Sequence, residues 1–171
     1  METWDAIRAR RNVRAFTDTP IAAADLDRIL EAARRTPSAR NTQPWDLIVV
    51  TDRAELQRLA TVWQGAGHIA VSAATIALIA PILEGERERS LVQYDLGQLT
   101  MSVAITAADL GIGSGHSAVG DQDLARELLG FPPEYFCAYL IALGYPADRP
   151  LAPLRTINRR PFDGVVHRDR W

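Results

Sequence analysis

Two stretches of this chain carry cations at a spacing suited to an anion, and a third carries short hydrogen-bonding side chains on a turn. The first is Arg10-Arg11-Asn12-Val13-Arg14, near the N-terminus. The second is the tail Arg159-Arg160-Pro161, followed by His167-Arg168-Asp169-Arg170-Trp171. Arginine presents a planar fork of N–H donors that matches a phosphate two bonds at a time. If the two basic ends converge in space, they form an anion site. The third stretch is Pro37-Ser38-Ala39-Arg40-Asn41-Thr42-Gln43-Pro44-Trp45, polar and turn-rich with two prolines. Each has a plainer reading when taken alone. The first is a solvated helix end whose arginines favour the C-terminal dipole. The second is a solvated basic tail, and the third an ordinary helix-to-strand connection.

Other chemistries fail on spacing. Gly111-Ile112-Gly113-Ser114-Gly115 follows a helix rather than a strand, and its third glycine is misplaced for a dinucleotide fingerprint. All 19 basic residues are Arg, so a Gly-Lys phosphate loop is absent. Gly115-His116-Ser117-Ala118-Val119 lacks the closing glycine of a nucleophile elbow. His68, His116 and His167 are far apart and none has a helical HxxxH partner, so no metal is expected. The single cysteine, Cys137, excludes a disulfide within the chain and a cysteine-based zinc cluster; in its apolar setting it reads as an inert core residue.

These residues need elements to position them. A chain of 171 residues, 47% hydrophobic and 23% charged, implies one globular domain. A net charge of -2 argues against a general nucleic-acid binder. The longest apolar run, Ile76 to Leu83, contains Pro81 and is too short to span a bilayer. The N-terminus opens with Glu2 and Asp5 and shows no apolar signal region, so a cytoplasmic protein is expected. Thr3 reads as the cap of a first helix, about 3–11. Leu26, Ile29, Leu30 and Ala33 mark a second, about 22–35, stopped by Pro37. A helix over 53–63, a long one over 86–110 closed by Gly111, and a short one over 121–130 follow. Strands are expected at about 47–51, 74–80, 112–116 and 136–143, the third inside the glycine-rich stretch 111–117. This irregular mixture implies an α+β sandwich. The 86–110 helix is apolar on more than one side, which points to burial on more than one side and to a subunit interface. Residues 147–171 are proline-rich and basic without periodicity, an arm that must lie across another surface or fray.

Taken in order, these stretches resemble the nitroreductase family of flavin enzymes. The resemblance rests on Arg10-Arg11-Asn12-Val13-Arg14-Ala15-Phe16, where Asn12 stands in a position more often Ser. It also rests on the complete Pro-Ser-x-x-Asn-x-Gln-Pro-Trp at 37–45, Leu110 to Ser114, Gly144-Tyr145-Pro146, and the Arg-Pro arm at 159–161. It implies a nitroreductase-like α+β sandwich with an antiparallel-rich sheet. It further implies a homodimer with the arm exchanged between subunits, and FMN at each of two interface sites. Arg10 and Arg160, with Arg159, would hold the phosphate, and Arg11 would also belong to the cofactor-binding set. Asn12 would meet the ribityl chain or ring, and Arg14 the pyrimidine edge. Pro37, Ser38, Ala39, Asn41 and Gln43 would reach the flavin from the other subunit. Ser114, His116, Ser117 and Ala118 would pass over the ring, with His116 influencing substrate choice. The implied activity is ping-pong electron transfer from NADH or NADPH to a nitroaromatic, quinone or similar acceptor, with the chemistry carried by the cofactor rather than by a catalytic side chain. Other flavin reactions on the same scaffold, such as dehydrogenation or reductive dehalogenation, and a non-catalytic FMN store are the alternatives.

Overall fold

Two long apolar segments, covered on both faces, set the architecture. The structure, a computed structural model, describes residues 1–154 and 158–171. Among the described residues the α-helices are α1 (Thr3–Ala9), α2 (Ala23–Arg34), α3 (Arg53–Leu59), α4 (Glu86–Asp109) and α5 (Gln122–Leu129). The strands among them are β1 (Asp46–Val50), β2 (Ala74–Pro81), β3 (Gly113–Ser117) and β4 (Tyr135–Gly144). They form one antiparallel sheet in the order β1-β2-β4-β3. Successive strand residues face opposite sides. Ile76 and Leu78 of β2 and Ile141 and Leu143 of β4 therefore pack with α2 and α4 residues such as Ile29, Leu96, Leu99 and Val103. Ala77, Ile79, Leu140 and Ala142 pack on the other side with Leu56, Leu59, Ile69 and Ala125. The result is the expected α+β sandwich. Cys137 is buried in the second core, and burial pushes its thiol up to about 12, so it is inert at neutral pH.

The helix ends follow their sequence signals with one exception. Asp52 and Asp121 accept from the backbone N–H groups of Glu55 and Leu124 and cap α3 and α5. Gly111 and Gly130 stand at φ +74° and +72° after α4 and α5, a conformation that suits glycine. Thr3 does not cap α1. Glu2 occupies the cap position, its side chain makes no capping bond, and Thr3 is already helical. The helix also stops at Ala9, short of residue 11, because Arg10 turns extended. The chain there joins the sheet: Asn12 bridges to Ser114 in parallel, and the Val13 N–H donates to the Ser114 carbonyl at 2.9 Å. Farther on, Phe16 bridges to Pro146, and the Thr17 N–H donates to the Tyr145 carbonyl at 2.8 Å.

Candidate functional site

The glycine-rich stretch forms the strand expected there, β3, paired along its length with β4. β3 takes β4 on one edge and the segment from Asn12 on the other. Its glycines make the second pairing possible. A Cβ on Gly115 would lie 2.2 Å from the Val13 carbonyl oxygen, and one on Gly113 would meet the Val13 side chain at 2.6 Å. A backbone atom cannot swing aside as a side chain can. Gly115→Ala is therefore expected to cost about 1–3 kcal/mol, and Gly113→Ala less. Urea denaturation of the two variants checks the order, and a Gly113→Ala protein that proves the weaker of the two contradicts it.

Close pairing brings Arg10, Asn12, Ser114 and His116 to one pocket of about 140 Å³, whose other wall is Gly97, Thr100, Met101 and Ala104 of α4. A second pocket of about 240 Å³ adjoins it, sharing Gly97, Thr100 and His116 and adding Gln93 and Tyr139. A larger pocket along the β1 edge, near Leu128 and Leu129, lacks convergent cations. Ser114 and His116 stand two apart on β3 and so share a face. The Arg10 Nε is buried and has no hydrogen-bond partner among the described residues. Buried donors of this kind are ordinarily satisfied, and an anionic oxygen in the pocket would satisfy this one.

The rest of the expected set is more scattered. Arg11 turns to the base of the arm, 2.6 Å from the Asp148 carboxylate, and also donates to the Arg149 carbonyl at 2.8 Å. That contact holds the Asp148 carboxyl below its usual range. Arg14 lies close enough to His68 for its charge to disfavour the imidazolium, although burial is the larger cause of that lowered pKa. The buried His68 Nε2 is 3.3 Å from the Gly115 carbonyl oxygen. Ser117 faces away from His116, with its hydroxyl donating to the Ala118 carbonyl at 3.0 Å. Ala118 follows the strand. Arg159 bonds its neighbour's carbonyl at Asn158, and Arg160 bonds that of Gly164. Neither arginine lines the Arg10 pocket in a single chain.

The 37–45 segment forms a tightly bonded loop. Pro37 follows α2. The Ser38 Oγ accepts from the Gln43 N–H at 2.9 Å, and the Gln43 side chain donates to the Asn41 carbonyl at 3.3 Å. Arg40, Asn41 and Gln43 all have positive φ, at 55°, 57° and 49°. Left-handed backbone costs a non-glycine residue roughly 1–2 kcal/mol, so other contacts must hold the loop. One of them is Asp95 of α4, whose carboxylate oxygens accept from the Ala39 N–H at 3.2 and 3.0 Å. Sequence reasoning missed Asp95. Its signal was an acid in register with the apolar stripe of Val92, Leu96, Leu99 and Val103. Gly97 and Tyr139 were missed as lining residues. At 3.6 residues per turn, Asp95 and Gly97 point to opposite sides of α4. The loop's anchor and the Arg10 pocket of one chain are thus on opposite sides of that helix.

Residues 7–74 match the model of the Nitroreductase family. A relative in Archaeoglobus fulgidus, provisionally described as an NADH dehydrogenase/NAD(P)H nitroreductase, is 30% identical over 174 residues, covering 99% of both chains. This chain belongs to the nitroreductase family. The FMN reductase [NAD(P)H] of Bacillus subtilis is 25% identical over 186 residues, covering 93% of this chain and 73% of its own. The fold is also that of an FMN-dependent nitroreductase from Clostridium difficile, with a TM-score of 0.84 at 22% identity, over 97% of this chain and 98% of that one. Among the described residues, no helix of this family member is long and apolar enough to cross a membrane.

Proposed function

We infer that the chain is an FMN-dependent NAD(P)H oxidoreductase that works by a ping-pong mechanism on a small acceptor such as a nitroaromatic or quinone. The observation that carries this reading is the unpartnered, buried Arg10 Nε in a pocket shared with Asn12, Ser114 and His116. The donor set suits FMN. Arg10 offers a fork to the phosphate, while Asn12 and Ser114 offer short polar groups to ribityl hydroxyls. FMN bound here would supply the two-electron chemistry between a nicotinamide and the acceptor. The chain's share would be binding and orientation. Arg10 would hold the anionic end, the β3 backbone would line the ring site, and His116 with Tyr139 would border the side open to an acceptor.

The same reading makes the protein a homodimer with each site completed from the partner. On α4, Tyr94 is 69% exposed, with Leu91 and Met101 exposed beside it, and α1 adds the exposed Trp4 and Ile7. An apolar surface of this kind on a long helix suits a second copy. The free edge of β1 and the groove beside it suit an extended segment, the partner's arm. Ser38, Ala39 and Asn41, carried on the far side of α4 from their own pocket, then serve the neighbouring flavin.

Mixing two defective chains tests this division of labour. One carries Asn41→Ala and the other Arg10→Ala. If Asn41 serves the neighbour, a mixed dimer holds one site with both defects and one with neither. About half the mixed-dimer sites should then bind FMN with wild-type affinity. Recovery of no normal site contradicts the arrangement.

A further inference from the structure

We propose that Asp95 is the positioning residue of the flavin site: its carboxylate, reached from inside α4, locks the 38–41 loop in the shape that meets the cofactor. The proposal rests on the FMN reading above. Asp95 is 1% exposed, on the apolar stripe of the longest helix. Burying a carboxylate there is unfavourable unless its oxygens are satisfied. Both of its partners are neutral donors, the Ala39 N–H and the Gln98 amide at 3.3 Å. The Ala39 bond falls just before the left-handed pair Arg40 and Asn41. Other bonds close the loop on itself, among them Asn41 N–H to the Ser38 carbonyl, the Thr42 hydroxyl to the Ala39 carbonyl, Gln43 N–H to the Ser38 hydroxyl and the Gln43 amide to the Asn41 carbonyl. They give the turn its shape but do not attach it to the body of the protein. Asp95 does, and it does so at Ala39, next to Ser38. A leucine at 95 would suit the helix stripe. The acid therefore serves the loop rather than the core.

The test uses the full-length protein, stripped of flavin and titrated with FMN and with riboflavin. Asp95→Asn keeps an oxygen able to accept from Ala39, and its new amide can meet a flipped Gln98. It is expected to bind both flavins within about threefold of wild type. Asp95→Leu, similar in size but with no acceptor, is expected to weaken both by the same factor, about tenfold. The equal loss follows because the loop meets ring and ribityl rather than phosphate. Adding Asn41→Ala to Asp95→Leu should change little further, since the second residue is already out of place. A general loss of packing would instead give additive losses. Should the leucine variant not fold, Asp95→Ser, whose hydroxyl is too short to reach Ala39, makes the same comparison. Three results overturn the clamp: Asp95→Leu binding like wild type, Asp95→Asn losing as much as Asp95→Leu, or additive losses with Asn41→Ala. A wild-type protein that binds neither flavin sinks the proposed function, and the clamp with it. A binding wild type with any of those three results sinks the clamp alone.

Discussion

Arg10→Ala is expected to weaken FMN binding by about 10- to 150-fold and to leave riboflavin binding nearly unchanged. A hydrogen bond to a charged group contributes roughly 1.5–3 kcal/mol, which converts to that range of affinity. Arg10 is placed to supply such a bond because its Nε is buried, unpartnered and beside the pocket. Arg10→Lys should recover only part of the loss, since an ammonium lacks the guanidinium fork. Riboflavin has no phosphate and supplies the control. The plainer alternative is a solvated helix-end charge, whose removal would change either ligand by only a few tenths of a kcal/mol. Arg160→Ala extends the comparison to the arm. In one chain Arg160 bonds the Gly164 carbonyl and does not line the Arg10 pocket, so a matching loss would mean that Arg160 reaches the phosphate only in the assembled protein. Titration of FMN and riboflavin into the flavin-free variants decides the matter. FMN affinity that is unchanged in Arg10→Ala, or riboflavin affinity that falls equally, contradicts the phosphate assignment.

Much of the fold was legible because it rests on local signals. The stripe through Leu26, Ile29 and Ala33 and the one through Val92, Leu96, Leu99 and Val103 each need a buried helix face, and α2 and α4 provide it. The apolar runs at 74–80 and 136–143 could hardly be anything but buried strands. What sequence could not convey was contact between distant segments. The extended turn at Arg10 depends on the edge of β3, about a hundred residues away, so α1 ends earlier than its own residues suggest. A strand is expected over 112–116, but its sequence does not say why positions 113 and 115 are glycine. They are glycines because Val13 lies against them.

The site was legible as a set of residue types and only partly as a set of neighbours. Arg10, Asn12, Ser114 and His116 meet at one pocket. Arg11 instead serves the arm through Asp148, a partner 137 positions away that nothing in its local sequence identifies. Ser117 is on the opposite side of its strand from His116, a consequence of the two-residue period once β3 is known to be a strand. Asp95 lies on an apolar helix, away in sequence from the polar segments that carry the other site residues. An acid among buried leucines was the available sign.

On the proposed reading, this chain holds FMN and uses it to move electrons from a nicotinamide to a separate acceptor. The visible spectrum of the purified, FMN-loaded protein under anaerobic conditions tests it most directly. Addition of NADH or NADPH alone, with no acceptor present, should bleach the flavin band, and a quinone or nitroaromatic added afterwards should restore it. The independent first half-reaction is what a ping-pong enzyme must show. A flavin band that neither nicotinamide bleaches would make the protein a flavin store or a catalyst of another flavin reaction, and would contradict the account.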